Sequence, residues 1–152
     1  MARVDLTVVS HEDLVIVAAT MRQADREEVL ASGGFTPEEA LVEAVRWSEF
    51  SRTARFDGQP ACMFGVAPGV PAIPWVLTTT VVNRYPVTFW RASKTVLRAI
   101  VGLYPQLEQR IDARHVAALS WVRRLGFQVE SVEPWGHARL PFHRISFGVN
   151  HV

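Results

Sequence analysis

The chain has 152 residues, of which 49% are hydrophobic and 20% charged, and its formal net charge at pH 7 is +1. These values are typical of one globular domain spanning residues 1–152, and they exclude a disordered chain. The small net charge gives no general attraction to nucleic acid or to a membrane, and the one cysteine excludes an intramolecular disulfide framework.

Acidic residues interrupt the apolar stretches at the start of the chain. Asp5, Glu12 and Asp13 leave no continuous apolar core of the kind that a secretory signal needs. No stretch elsewhere approaches the length of a membrane span. We therefore expect a soluble protein that is intracellular when it is made.

The first half of the chain predicts strands, two helices and a hairpin. Residues 4–10 and 14–19 are rich in β-branched residues, which is typical of strands. Residues 23–34 predict a short helix that ends at a glycine pair, and Thr36, followed by proline and a capping-box glutamate, predicts the start of the next helix. The Asp-Gly pair at 57–58 predicts a two-residue hairpin turn.

The second half predicts a strand at 73–82, a helix from Tyr85 to about Tyr104 and a strand at 106–113. A helix that Asp112 caps and Gly126 ends follows, and two strands joined around Gly136 close the chain. This order of elements predicts an α/β (α+β) domain, in which helices cover both faces of a mixed sheet.

Residues 114–127, "RHVAALSWVRRLGF", carry the most specific local pattern. Its alanine and its closing Leu-Gly-Phe resemble a helix of the GNAT (Gcn5-related N-acetyltransferase) superfamily, and so does the segment "MRQADREEV" at 21–29. The resemblance spans most of the chain. It implies a mixed, mostly antiparallel sheet with helices on both faces.

The resemblance also implies where acetyl-CoA would bind. GNAT enzymes hold its pyrophosphate with backbone amides of a glycine-containing turn that opens the long helix. Here that place reads "VVNRYPVTFW" at 81–90; it has no glycine, and Pro86 removes one donor. If the cofactor binds, the resemblance implies contacts from Val81, Val82, Asn83, Arg84 and His115.

The usual catalytic acid is missing as well. The family commonly has a tyrosine, which protonates the departing thiolate, where this chain has Val122. Cys62, Tyr85 or His115 could take that role by geometry, and Glu108 could act as a base toward an amine. The sequence alone does not choose among them.

A narrower resemblance suggests a different use of the fold. The runs "FDGQPACMFGVAP" and "YPQLEQRIDARHVAALSWVRRLGF" resemble phage-encoded GNAT-like proteins of podophages that serve in the virion interior or in head assembly. We therefore expect a non-enzymatic virion or assembly protein, made in the host cytoplasm, with other virion proteins as partners. The alternative is an acetyl-CoA-dependent N-acetyltransferase with an atypical cofactor loop, acting on an amine or a protein.

Four basic residues share one side of the long predicted helix: Arg84, Arg91, Lys94 and Arg98. They form either an anion surface, for an acidic partner, DNA or CoA phosphates, or a solvated helix face. No specific nucleic-acid motif accompanies them. His137, His143 and His151 lack the spacing of a zinc site, so no metal is expected.

The tryptophans raise two further alternatives. Trp75 is either a core filler or a residue that plugs the cofactor cleft, and a cleft filled by Trp75 or Trp90 would rule out the transferase. Trp47 or Trp135, if exposed, could serve a binding module directed at a host protein.

Overall fold

The computed structural model describes residues 2–149. The strands are β1 (Val4–Thr7), β2 (Phe50–Phe56), β3 (Gln59–Ala67), β4 (Ile73–Thr78), β5 (Leu107–Asp112), β6 (Gln128–Trp135) and β7 (Leu140–Phe147). The helices are α1 (His11–Thr20), α2 (Gln23–Gly33), α3 (Pro37–Trp47), α4 (Val81–Arg84), α5 (Pro86–Leu103) and α6 (Val116–Leu125).

Two antiparallel sheets meet along one pair of parallel strands. The first sheet has the order β1-β2-β3-β4 and the second the order β5-β7-β6. The amide of Ala72 donates to the carbonyl of Gln106, and the amide of Glu108 donates to the carbonyl of Ala72, each over 2.9 Å. In the described part of the chain, backbone bonds join β4 and β5 only at their beginnings, so the two strands can diverge toward their ends.

Helices cover both faces, as the sequence predicts. Helices α1, α2 and α3 bury one apolar cluster against the first sheet: Leu14, Val17, Met21, Val29, Ala40, Leu41, Met63 and Leu77. Helices α5 and α6 bury another on the opposite face: Val66, Ile100, Leu107, Ile111, Leu119, Val122, Phe127 and Ile145. The α/β (α+β) architecture with a mixed, mostly antiparallel sheet is confirmed.

The strand predicted at 14–19 is wrong, because these residues belong to helix α1. Ser10 and Asp13 form a capping box: the Ser10 hydroxyl accepts from the Asp13 amide (3.1 Å), and the Asp13 carboxylate accepts from the Ser10 amide (3.4 Å). The buried Asp13 carboxylate also pairs with Arg55 and accepts from the Thr53 hydroxyl over 2.9 Å. The cap and the ion pair together outweigh the β preference of a valine- and isoleucine-rich run.

Two other boundaries differ from the prediction. The strand predicted at 73–82 ends at Thr78, and the next turn of chain is the short helix α4. Asp112 does not cap α6, since its carboxylate accepts from the amide and guanidinium of Arg114, and His115 is the N-cap residue.

The predicted helix ends and the hairpin are confirmed. Gly34 (φ 70°) ends α2 and Gly126 (φ 105°) ends α6, both in the left-handed conformation that glycine adopts without strain. Thr36 forms the predicted capping box of α3. Asp57 (φ 50°) and Gly58 (φ 82°) form the turn between β2 and β3.

Candidate functional site

A cleft of about 430 Å³ opens where the ends of β4 and β5 lie apart. Three segments form its wall: the beginning of α2, the turn after β4 and the beginning of α6. The lining residues are Arg22, Gln23, Ala24, Thr80, Asn83, Arg114, His115, Val116 and Ala117. The cleft therefore collects residues that are distant in the sequence.

A buried histidine–aspartate pair lies at this cleft, with the histidine in its wall and the aspartate behind it. His115 is 7% exposed, and its Nε2 lies 2.9 Å from Oδ1 of Asp25. The other oxygen of Asp25 accepts from the Thr78 amide over 2.8 Å and from the Thr78 hydroxyl. Because both carboxylate oxygens are occupied, Asp25 holds the imidazole in one place.

The two members of the pair stabilise each other's charged form. Burial raises the pKa of Asp25, but hydrogen bonds from His115 and Thr78 outweigh it, and the net pKa lies below its ordinary value. Burial lowers the pKa of His115, but the Asp25 hydrogen bond and the negative charge of Glu28 outweigh it, and the net pKa is raised. His115 therefore holds its proton better than a free histidine does.

Glu28 lies one helical turn after Asp25, behind the pair. Its Oε2 accepts from the Asp112 amide over 3.1 Å. Burial raises its pKa to about 7, while the attraction of His115 opposes that rise. Glu28 thus changes its charge near neutral pH next to the cleft, beside a histidine whose pKa is raised.

Two arginines stand at the rim. Arg22 donates to the Thr78 hydroxyl over 2.6 Å and to Oδ1 of Asn83 over 3.5 Å. Arg114 forms a two-pronged bond with Asp112, the shortest distance being 2.7 Å between Nη2 and Oδ2. The wall combines charged and polar side chains with apolar ones, so it suits a ligand that has both polar and apolar parts, and His115 is an ionisable group in it.

The turn after β4 is already bonded within the protein. The amides of Thr79, Thr80, Val81, Val82, Asn83 and Tyr85 donate, over 2.9 to 3.3 Å, to oxygens of Ala61, Thr20, Thr79, Thr80 and Val82. The next residue, Pro86, has no amide hydrogen. The amides from Thr79 to Asn83 are therefore not free to bind the pyrophosphate of acetyl-CoA, which the resemblance would place at this turn.

Two of the five predicted cofactor contacts line the cleft, namely Asn83 and His115. The side chains of Val81 and Val82 are buried in a core cluster with Cys62 and Phe56. The guanidinium of Arg84 donates to the Gln59 side chain over 2.6 Å, at the beginning of β3.

The other candidates for acid or base do not line the cleft. The ring of Tyr85 packs edge-on against Phe56, with centroids 6.1 Å apart. Glu108 pairs with Arg110 at 4.0 Å. Cys62 is buried, and burial raises the pKa of its thiol to about 12. Of these candidates, only His115 remains at the cleft.

The tryptophans do not line the cleft either. Trp75 donates to the Ser48 hydroxyl over 2.7 Å and packs with the cluster under α1, α2 and α3. Trp90 contacts Lys94 and Arg124 on the outer side of α5 and α6. Of the two alternatives for Trp75, the structure therefore agrees with the core filler, and neither Trp75 nor Trp90 lines the space beside His115.

Sequence reasoning missed three residues that lie at the cleft or directly behind it: Asp25, Glu28 and Arg22. A signal was present, because Asp25 and Glu28 are three residues apart and lie on one helix face. The partner of that face could not be read from the sequence, since His115 lies 90 residues further along the chain.

Other kinds of site find no support within residues 2–149. No group of three or more metal-binding side chains occurs there. His143 has its Nδ1 2.6 Å from the Glu130 carbonyl, and His151 lies outside the described residues. None of the described helices combines the length and the apolar character that crossing a bilayer would require.

Comparison with solved structures identifies the fold of this chain. No family model and no curated protein matches the sequence. A probable GNAT-family acetyltransferase from Chromobacterium violaceum superposes with a TM-score of 0.70 at 20% identity, covering 95% of this chain and 86% of that one.

Two further solved structures superpose on this chain over almost its whole length. An acetyltransferase from Bacillus subtilis, solved in complex with CoA, gives a TM-score of 0.66 at 10% identity and covers 99% of this chain and 100% of that one. A Gcn5-related N-acetyltransferase from Kribbella flavida gives 0.66 at 14% identity, covering 96% of this chain and 98% of that one. The chain therefore has the GNAT fold.

Proposed function

We propose that this chain is a GNAT-fold protein that does not use acetyl-CoA and that serves as a non-enzymatic binding or assembly protein. The observation that supports this most directly is the turn after β4, whose amides from Thr79 to Asn83 already have acceptors inside the protein. A phosphate could reach them only after several of these bonds were broken. Each such bond contributes about 0.5–1.5 kcal/mol net, so the combined cost would consume much of the binding free energy of a micromolar ligand, about 8 kcal/mol.

The residue found where the fold's enzymes commonly have the catalytic tyrosine supports the same proposal. Val122 is 3% exposed and belongs to the apolar cluster under α5 and α6. An ionisable side chain there would need space and a partner that the core does not provide. Helix α6 thus contributes packing at this position, where enzymes of the fold would need a proton donor.

The narrower sequence resemblance suggests where such a protein would work. It favours the interior of a phage virion or a head-assembly intermediate, with synthesis in the host cytoplasm and other virion proteins as partners. Purified virions probed with an antibody against this chain would test that location, and its absence from them would contradict it.

Titration with acetyl-CoA tests the proposal. We expect no shift in melting temperature and no calorimetric heat of binding up to 1 mM ligand, roughly a thousand times a micromolar dissociation constant, because a native-state ligand at that excess must raise stability. Dephospho-CoA and inorganic pyrophosphate titrated in parallel separate cofactor recognition from general anion binding. Specific micromolar binding of acetyl-CoA would overturn the proposal.

A second candidate, acyl transfer to an amine or protein substrate, is favoured by the open cleft beside His115. Acetyl-CoA, if bound by other contacts, would supply the acyl group. His115, held by Asp25, would then hold the proton and donate it at the cleft.

An assay of acetyl transfer distinguishes the two candidates. Acetylated product formed by the wild type and lost in His115→Gln would favour the enzyme. Ser120→Ala is the matched control, since this exposed serine lies on the same helix and does not line the cleft.

A further inference from the structure

The helices on the two faces of the sheet carry opposite charge. Helices α1, α2 and α3 contain eight acidic and two basic residues, whereas α5 and α6 contain five basic residues and no acidic one. No aspartate or glutamate occurs from residue 58 to residue 107. A net charge of +1 thus conceals two strongly and oppositely charged halves.

The cations of α5 and α6 form one continuous surface, the basic face, which consists of Arg91, Lys94, Arg98, Arg123 and Arg124. All five side chains are exposed. The three on α5 lie at positions i, i+3 and i+7, on one side of the helix. Trp90 joins the two helices, because the Lys94 ammonium lies 5.4 Å and the Arg124 guanidinium 4.3 Å from its ring centroid.

The basic face also has apolar character, and three of its cations have no acidic partner within the described residues. Val87 is 57% exposed one turn before the cations of α5. Within residues 2–149, no acidic side chain pairs with Lys94, Arg98 or Arg124. An exposed apolar side chain among charged ones suits a protein–protein contact, because the buried core of such a contact is apolar and its rim is polar.

The opposite side of the molecule has the complementary composition. Its exposed carboxylates, here called the acidic face, are Glu12 on α1, Glu27 on α2, and Glu38 and Glu39 on α3. An exposed valine lies one turn from an acid on each of two packed helices: Val15 (47%) after Glu12 and Val42 (45%) after Glu38.

We propose that the partner of the basic face is the acidic face of a second copy of this chain. The two faces lie on opposite sides of the sheet, so the contact is head to tail and can repeat from one copy to the next. Opposite charges and exposed valines meet in such a contact. A protein surface fits better than single-stranded nucleic acid, because the Trp90 ring is partly buried and already covered by two cations.

Salt dependence is the first test, and it uses the full chain. Sedimentation velocity at about 100 μM protein should give masses above the monomer at about 50 mM NaCl. The association constant should fall about tenfold or more by roughly 300 mM NaCl, because ions screen charges across an interface. A monomer at both salt concentrations overturns the proposal.

Charge reversal is the sharper test. Lys94→Glu/Arg98→Glu lowers the charge of the basic face from +5 to +1, and Glu12→Lys/Glu38→Lys changes that of the acidic face from −4 to 0, so each variant alone should be monomeric at the lower salt concentration. An equimolar mixture should associate again, because the unchanged acidic face of the first variant then meets the unchanged basic face of the second. Lys94→Arg/Arg98→Lys is the control and should associate as the wild type does.

The remaining outcomes are decisive as well. Circular dichroism confirms that each variant folds, and Glu12→Gln/Glu38→Gln replaces the lysine variant if that one does not. A mixture that stays monomeric overturns the proposal. So does a monomeric wild type that binds a short DNA duplex through Lys94 and Arg98, since the partner is then a nucleic acid. Binding of acetyl-CoA would overturn the proposed function and leave this inference unaffected.

Discussion

Asp13 and Asp25 occupy the same position in two successive helices, yet their carboxylates bind different partners. Each is the third residue of its helix, α1 or α2, and each is buried. Asp13 bonds back to the N-cap Ser10 and completes a capping box. Asp25 follows an arginine at the N-cap, which offers no side-chain cap, and its carboxylate reaches across to Thr78 and His115 instead.

The difference shows which buried charge belongs to the cleft. The partners of Asp13 are an arginine and a hydroxyl, which keep their charge state across the physiological pH range. The partner of Asp25 is a histidine, and Glu28 stands beside it, so the charge of this cluster varies near neutral pH. Removing each aspartate should therefore have different consequences, which can be measured.

The largest expected effect is that of Asp13→Asn. The substitution leaves the Arg55 guanidinium without its carboxylate and weakens the cap of α1, so the free energy of unfolding should fall by about 2–4 kcal/mol. Because the partners of Asp13 do not titrate near neutrality, the loss should be the same at pH 6 and pH 8. Urea denaturation at both pH values measures it.

The neighbouring Glu12 supplies the control for that experiment. It is exposed on the same first turn, so Glu12→Gln should change the free energy of unfolding by less than about 0.5 kcal/mol. A loss in Asp13→Asn no larger than that of the control would mean that the buried pair contributes nothing.

Asp25→Asn should cost somewhat less, about 2–3 kcal/mol, and should depend on pH. The raised pKa of His115 stabilises the native state fully below 6.5, its ordinary value, and that contribution disappears as pH rises through the native pKa. The substitution removes the negative charge that holds the proton, so the pKa of His115 should fall in a proton NMR titration. The cost of the substitution should accordingly be larger at pH 6 than at pH 9.

Two results would contradict this view of Asp25. An unchanged pKa of His115 would mean that Asp25 does not hold the imidazole proton. An equal cost at pH 6 and pH 9 would place Asp25 in the same class as Asp13, as a purely structural charge.

The fold was predictable because its signals are local. Capping residues such as Thr36, turn residues such as Gly58 and the helix-ending Gly126 act on their immediate neighbours, and each prediction based on them is confirmed. One exception is α1, where Val15 and its neighbours favour a strand. The interaction that decides the outcome joins Asp13 to Arg55, 42 residues away.

The cleft was less predictable, because it depends on long-range contacts. His115 and Asn83 could be chosen from the resemblance, and both line the cleft. Asp25 could not, since the position of a carboxylate in a helix gives no information about the strand it will face. Only the path of β4 and the start of α6 bring Thr78 and His115 to it.

Glu28→Gln should have the smallest effect and the opposite sign. A carboxyl group whose native pKa is raised from 4.5 to about 7 contributes stability that is present below 4.5 and lost as pH rises through 7. Glutamine stays neutral and can still accept from the Asp112 amide. At pH 8 the variant should therefore be more stable than the wild type by about 2 kcal/mol, and at pH 5 the two should agree within about 1 kcal/mol. Urea denaturation measures both values, with the exposed Glu27→Gln as control.

Equal destabilisation of Glu28→Gln at both pH values would show that Glu28 is a fixed structural charge like Asp13, and that His115 alone titrates at the cleft.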